Sequence, residues 1–252
     1  MGNEANTSKI SKAERMLKAL TAFNRKERYY VVQTAITGTP PELCNKFRTS
    51  LKKELGIEIP SDAYVAIDYH LDWISAAYWL TREGKSPESG SAKNDLLDNY
   101  PNARSSPVIA GTQEDVDLLV AFVKDDKLVL ILVEAKATSQ WKDKQIRSKA
   151  GRLSAILKGW NRLRPQFLEP RFLLLGPELK DDGKPSLKET TVSECPDWFR
   201  GNDDTIPYLN MSPDPELFFP TRTRKIKEGE YEKWQIKKEM TFKPSGKPKS
   251  SK

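Results

Sequence analysis

The sequence predicts an α/β fold in which the core follows a helical N-terminal region. Apolar residues recur at helical spacing through the first part of the chain. Two apolar, β-branched runs then follow each other near the middle, joined by a short polar turn. A basic amphipathic segment and one further short apolar run come next. This order predicts a core of helix, β-hairpin within a mixed central sheet, helix and strand.

Residues 1–60 are predicted to form the helical N-terminal region. Its first helix has an apolar stripe that repeats every three or four residues. A second amphipathic helix, over 42–55, is predicted to end at Gly56, because glycine adopts the left-handed conformation of a helix C-cap at little cost. The core is then predicted to open with a helix over about residues 62–81.

The core itself is predicted to span residues 61–180. The apolar runs 115–123 and 128–137 are joined by Lys-Asp-Asp-Lys, which indicates a hairpin. The second run is apolar on both faces, as is typical of a buried central strand. A helix over 142–157 and a strand over 171–177 complete this core.

The C-terminal part of the chain differs in composition from the core. Residues 181–242 are rich in Pro, Gly and acidic residues, which predicts an irregular extension packed on the core. Residues 243–252 contain few apolar side chains and are predicted to form a disordered basic tail.

Positive charge is concentrated in two segments of this basic chain. The 252 residues include 42 Lys and Arg against 35 Asp and Glu, a net charge of +7. Residues 142–164 carry a net charge of +7, and so do residues 221–252, whereas the rest of the chain has more acidic than basic side chains. Localised positive charge is typical of proteins that bind a phosphate backbone, so nucleic acid is the expected partner. A solvated helix face and a solubilising tail are the alternative.

Composition excludes several classes of protein. The chain has one histidine and two distant cysteines, Cys44 and Cys195, which argues against zinc sites, disulfide frameworks and Ser–His hydrolases. No apolar run approaches the roughly 18 residues of a membrane span, so no membrane partner is expected. The start lacks the apolar segment of a secretory signal, and we expect a cytoplasmic protein.

The end of the second apolar strand carries the residues most suited to chemistry. Glu134 and Lys136 are two apart and therefore point to the same face of the strand. Burying such charges is costly unless they serve each other, a metal or a ligand. Asp117 on the neighbouring strand is expected to lie beside Glu134, and paired carboxylates suit Mg²⁺ or Mn²⁺. Lys136 would then orient or help deprotonate a metal-bound water.

These residues make the segment resemble the PD-(D/E)xK nuclease superfamily, which has the restriction-endonuclease-like fold. The resemblance covers residues 111–177. Asp117 matches the first acidic residue of the motif, and Glu134-Ala135-Lys136 matches its (D/E)xK part. Gln145 matches the Gln or Lys that is often found early on the following helix in that superfamily. Val116 stands where the pattern usually has Pro.

The resemblance implies a metal-dependent phosphodiesterase that cuts DNA or, less readily, RNA. It implies Mg²⁺ or Mn²⁺ bound by Asp117 and Glu134, with Lys136 positioning the attacking water. Because many proteins of that superfamily act as dimers, a homodimer stays open. A non-catalytic protein that keeps the fold and binds nucleic acid or another partner is the alternative.

Spacing alone does not identify the motif, because the chain contains (D/E)xK five times. Four copies fall in polar loops or turns, where ordinary surface charge explains them. Only the copy at 134–136 ends a buried strand, follows an acid-bearing hairpin and precedes a basic helix. The other four begin at Glu83, Asp125, Glu178 and Asp182.

Further charged residues surround this motif. Lys149 and Arg152 share a helical stripe with Gln145, and we expect them to grip phosphates beside the scissile bond; a solvated face is the alternative. Asp68 and Asp72, expected on one face of the helix at 62–81, are candidates for an extra metal ligand, as is Glu114. Ordinary surface acids are the alternative for these three.

Overall fold

The structure is a computed structural model that describes most of the chain between residues 10 and 239. The described residues are 10–23, 31–32, 35–36, 41–85, 96–97, 106–107, 109, 111, 114–136, 141–158, 165–176, 185, 187–211, 217–222, 225–227, 230–231 and 233–239. The predicted disordered tail at 243–252 lies outside them.

A five-stranded mixed sheet forms the centre of the molecule, so the α/β prediction is confirmed. Across the sheet from one edge to the other, the first two pairs of neighbouring strands are antiparallel and the last two pairs are parallel. In spatial order the strands are β1 (Tyr64–His70), β4 (Asp115–Lys124), β5 (Lys127–Ala135), β6 (Leu168–Gly176) and β7 (Tyr208–Asn210), with the short pair β2 (Leu96–Leu97) and β3 (Ser106–Pro107) outside this sheet.

The predicted hairpin is confirmed as strands β4 and β5. Asp125 and Asp126 connect them with φ values of 49° and 58°. Two successive residues with positive φ are typical of the tight turn that matches the twist of an antiparallel pair. Strand β5 is buried on both faces and lies at the centre of the sheet, also as predicted.

Helices cover both faces of the sheet. Helices α1 (Lys12–Phe23), α3 (Leu71–Glu83) and α4 (Asp143–Lys158) pack on the face formed by the even-numbered residues of β5. Helix α2 (Asn45–Leu55) packs on the opposite face and ends at Gly56, whose φ of 68° confirms the predicted C-cap. Helix α4 connects β5 to the parallel strand β6, as a crossover between parallel strands requires.

The predicted helix over 62–81 is wrong in its first half. Residues 64–70 form strand β1, and helix α3 begins only at Leu71. The segment contains Tyr64, Val65 and Ile67, residue types that favour strands, and β1 gains a backbone partner in β4. Asp68 and Asp72 consequently belong to different elements and do not share a helix face.

The C-terminal extension contains more regular structure than predicted. Strand β7 joins the central sheet, and Phe199 stacks on Phe172 of β6 with ring centroids 4.0 Å apart. These contacts place the region 195–209 against the core. The remaining elements are α5 (Glu189–Glu194), a 3₁₀ turn (Asp197–Phe199), and two strand pairs formed by β8 (Leu217–Arg222) with β11 (Trp234–Glu239) and β9 (Lys225–Lys227) with β10 (Glu230–Tyr231).

In the part of the chain that the structure describes, no helix has the length and apolar character needed to cross a membrane.

Candidate active site

Charged side chains collect at one end of the sheet, where β5 and its parallel neighbour β6 both finish. Glu134 and Lys136 lie at that end of β5, and Gln145 and Lys149 follow on helix α4. Strand β4 runs in the opposite direction and therefore starts there, which brings Asp117 to the same end. Carboxyl ends of parallel strands are common places for ligand sites in α/β proteins.

Glu134 is buried and accepts hydrogen bonds on both carboxylate oxygens. The residue is 2% exposed. Gln145 Nε2 donates to its Oε1 over 2.6 Å, and Lys149 Nζ donates to its Oε2. Lys136 Nζ lies 3.5 Å from Oε1. A buried carboxylate needs such partners, because desolvation of an unpaired charge costs several kcal/mol.

Asp117 lies where the ladder between β4 and β5 ends. The register pairs Leu118 with Val133, and continuing it by one step places Asp117 opposite Glu134. The Asp117 Oδ2 atom accepts a hydrogen bond of 2.6 Å from the backbone N–H of Ala135. The carboxylate is thus held beside the Glu134-Ala135-Lys136 segment, as the sequence predicted.

The β1–β4 pairing is interrupted at the same level. Its register keeps one offset from Ile67 opposite Leu118 to Tyr69 opposite Val116, but Asp68 and Asp117, which lie between these pairs, are not paired with each other. Asp68 has a φ of 49°, which non-glycine residues adopt rarely. Strands β1, β4 and β5, which are neighbours in the sheet, therefore each have an acidic residue at this end.

Helix α4 supplies two buried cations, which the sequence predicted to lie on an accessible stripe. Lys149 is 5% exposed and Arg152 is 2% exposed. Arg152 Nη2 bonds Asp72 Oδ1 over 2.8 Å, and Asp72 Oδ2 accepts from the backbone N–H of Gly111 over 2.8 Å. The expected stripe does face the site, but these cations are paired with internal carboxylates rather than presented to solvent.

Glu114 belongs to the same network through its charge. Burial raises the pKa of Glu114 above its usual value of 4.5. The cations of Lys149 and Arg152 oppose that increase, and the nearby carboxylates of Asp72 and Glu134 add to it. Glu114 also positions helix α3, because its carbonyl oxygen accepts the N–H of Leu71 at 3.0 Å.

Lys136 differs from the other cations in its exposure. Its side chain is 23% exposed, against 6% for Lys149 and 3% for Arg152. Its backbone N–H is fixed by the carbonyl of Leu175 at 2.9 Å, so β6 holds the strand end in place. Lys136 is therefore the cation of this group best placed to meet water or a substrate.

Close packing beneath Lys136 was not predicted from sequence. A Cβ atom on Gly176 would lie 2.8 Å from the carbonyl oxygen of Lys136 and 2.8 Å from Trp141. Trp141 is 6% exposed and packs edge-on against Tyr208, with centroids 5.6 Å apart. The only sequence signal for this contact is a glycine at the end of an apolar strand.

The carboxylates of Asp117 and Glu134 suit a magnesium site in which water and substrate supply the other ligands. Each carboxylate offers about four lone-pair positions, so both retain acceptor capacity beyond the contacts described. Magnesium is commonly held by one or two carboxylates together with waters and substrate phosphates. Within the described ranges, no group of three Asp, Glu, His or Cys side chains could hold a metal ion, so a closed protein cage is not formed there.

Comparison of the chain with protein-family models, with curated proteins and with solved structures gives no match.

Proposed function

We propose that the protein is a metal-dependent nuclease with a restriction-endonuclease-like core, acting on DNA in preference to RNA. The observation that carries the proposal is the end of strand β5. There a buried Glu134 lies 3.5 Å from the ammonium of Lys136 and accepts a hydrogen bond from Gln145. Asp117 accepts a hydrogen bond from the backbone N–H of the adjacent Ala135. The four residues that resemble the nuclease motif thus come from three elements and meet at one place.

Each of these side chains has a role in the proposed reaction. Asp117 and Glu134 would bind the metal ion, which supplies a bound water of lowered pKa and polarises the phosphate. Lys136 is the most accessible cation and would position that water or neutralise charge that develops on the phosphate. Gln145 holds the Glu134 carboxylate in one orientation through its amide.

Cleavage of single-stranded DNA, duplex DNA and RNA with Mg²⁺ or Mn²⁺ tests this function. Asp117→Asn, Glu134→Gln and Lys136→Met should each lower the rate by at least about 100-fold, as expected for groups that act on the reacting phosphate. Chelation by EDTA should abolish cutting. The matched control is Lys127→Met, at the exposed hairpin turn of the same strand, which should cut at the wild-type rate.

A second candidate function is non-catalytic binding of nucleic acid by the same fold. The observation that favours it is the Lys149–Glu134 ion pair, which neutralises the central carboxylate without any metal. Salt-sensitive binding with no metal-dependent cutting, unchanged by Asp117→Asn and Lys136→Met, would support this function and contradict the nuclease.

A further inference from the structure

Lys149 is a buried cation that lies inside the candidate metal site. Its Nζ atom donates to Oε2 of Glu134 and, over 2.5 Å, to the backbone carbonyl of Asp115. Neither contact depends on solvent, since Lys149 and Glu134 are 5% and 2% exposed. A buried ammonium and a buried carboxylate are both stable only because they are paired.

We propose that Lys149 is an internal counter-cation, which holds Glu134 in the metal-free protein and opposes binding of the metal. This inference rests on the proposed metal site at Asp117 and Glu134. A divalent ion on Glu134 would share a buried carboxylate with an ammonium already bonded to it. Like charges repel strongly where the dielectric constant is low. The Lys149 ammonium therefore weakens binding of the metal ion to Glu134, and the metal ion weakens the bond between Lys149 and Glu134.

The surroundings allow Lys149 to give up Glu134 without leaving the interior. The Asp115 carbonyl already accepts one of its hydrogen bonds. The carboxylate of Glu114 interacts with its charge, since Lys149 opposes the increase in the pKa of Glu114. Gln145 has no such conflict, because its neutral amide can stay on Oε1 when a metal binds. Lys149 therefore sets metal affinity, and Gln145 sets carboxylate orientation.

Metal titration of Lys149→Met tests the inference without nucleic acid. Binding of Mn²⁺ alone is measured by calorimetry, and melting temperature is measured with EDTA and with excess Mn²⁺. We expect the variant to melt lower than wild type in EDTA, because Glu134 loses its buried counter-charge and keeps only the partly exposed Lys136. We expect it to bind Mn²⁺ about tenfold more tightly, and Mn²⁺ to raise its melting temperature by more than that of wild type.

The control is Lys144→Met, which removes the same charge from an exposed position on the same helix. It should bind Mn²⁺ as wild type does. If Lys149→Met does not fold, Lys149→Gln keeps a donor for Glu134 and Asp115 while removing the charge, and the same direction of change is expected.

Each other result overturns the inference in a distinct way. Equal or weaker Mn²⁺ binding by both Lys149 variants would show that the lysine does not compete, and would leave the metal site and the proposed nuclease intact. Absence of Mn²⁺ binding in wild type and variants alike would remove the site on which the inference rests. The cleavage assay then decides independently whether any nuclease activity exists.

Discussion

The two ends of strand β5 carry the same three-residue pattern in opposite surroundings. Asp125-Asp126-Lys127 forms the hairpin turn, and all three residues are exposed. Glu134-Ala135-Lys136 ends the strand, where Glu134 is buried and bonded to Gln145 and Lys149 of helix α4. An acid and a lysine two residues apart thus gain a chemical role only where other elements cover the strand and bring partners.

The comparison predicts the largest difference in stability for matched acid-to-amide changes at the two ends. Glu134→Gln should lower the free energy of unfolding by about 3–5 kcal/mol, because it leaves Lys149 buried without its counter-charge. Asp125→Asn should stay within about 0.5 kcal/mol of wild type, since asparagine also tolerates positive φ at an exposed turn. Urea unfolding in EDTA measures both, and equal costs would contradict the difference drawn between the two ends.

A smaller effect is expected from the packing that holds the Lys136 end in place. Gly176→Ala should destabilise the fold by about 1–3 kcal/mol, because its Cβ would lie 2.8 Å from the Lys136 carbonyl and from Trp141. The control is Gly201→Ala, where the nearest atom outside the adjacent residues is 3.4 Å away on the flexible ring of Pro207. Thermal unfolding compares the two variants, and a Gly176→Ala protein as stable as Gly201→Ala would show that this strand end is loosely packed.

The smallest effect concerns pH. Burial raises the pKa of Glu114 above 4.5 in the folded protein. The contribution of the protonated Glu114 carboxyl to stability is therefore full below pH 4.5 and is lost as pH rises through the raised pKa. Glu114→Gln should therefore become more stable relative to wild type with increasing pH. Melting temperatures of both proteins from about pH 4 to pH 8 measure this difference. A difference that does not change with pH would contradict it.

Glu58 provides a control of opposite sign for that pH series. A hydrogen bond from the exposed Lys52 lowers the pKa of Glu58 below 4.5. Its stabilising contribution is present above 4.5 and is lost as pH falls through the lowered pKa. Glu58→Gln should therefore lose a small amount of stability relative to wild type at neutral pH and approach it in acid.

Much of the core was predictable because its signals are local. The hairpin depended on two apolar runs and a polar turn, and helix α4 on its apolar spacing. The position of Asp117 opposite Glu134 then followed from antiparallel pairing alone. Strand β1 was not predictable in this way, because the spacing of its apolar residues fits a helix as well as a strand. Only its pairing with β4 decides between the two.

The sequence by itself determined the hairpin, the buried strand end at Glu134 and the helix that follows, since turn chemistry and side-chain period act between residues close in the chain. The tertiary structure alone decided what Lys149 and Arg152 do. Arg152 pairs with Asp72, a residue 80 positions earlier, and Lys149 is buried because the sheet end and the start of β4 cover it. Burial and charge pairing depend on which distant segments meet, and no local pattern contains that information.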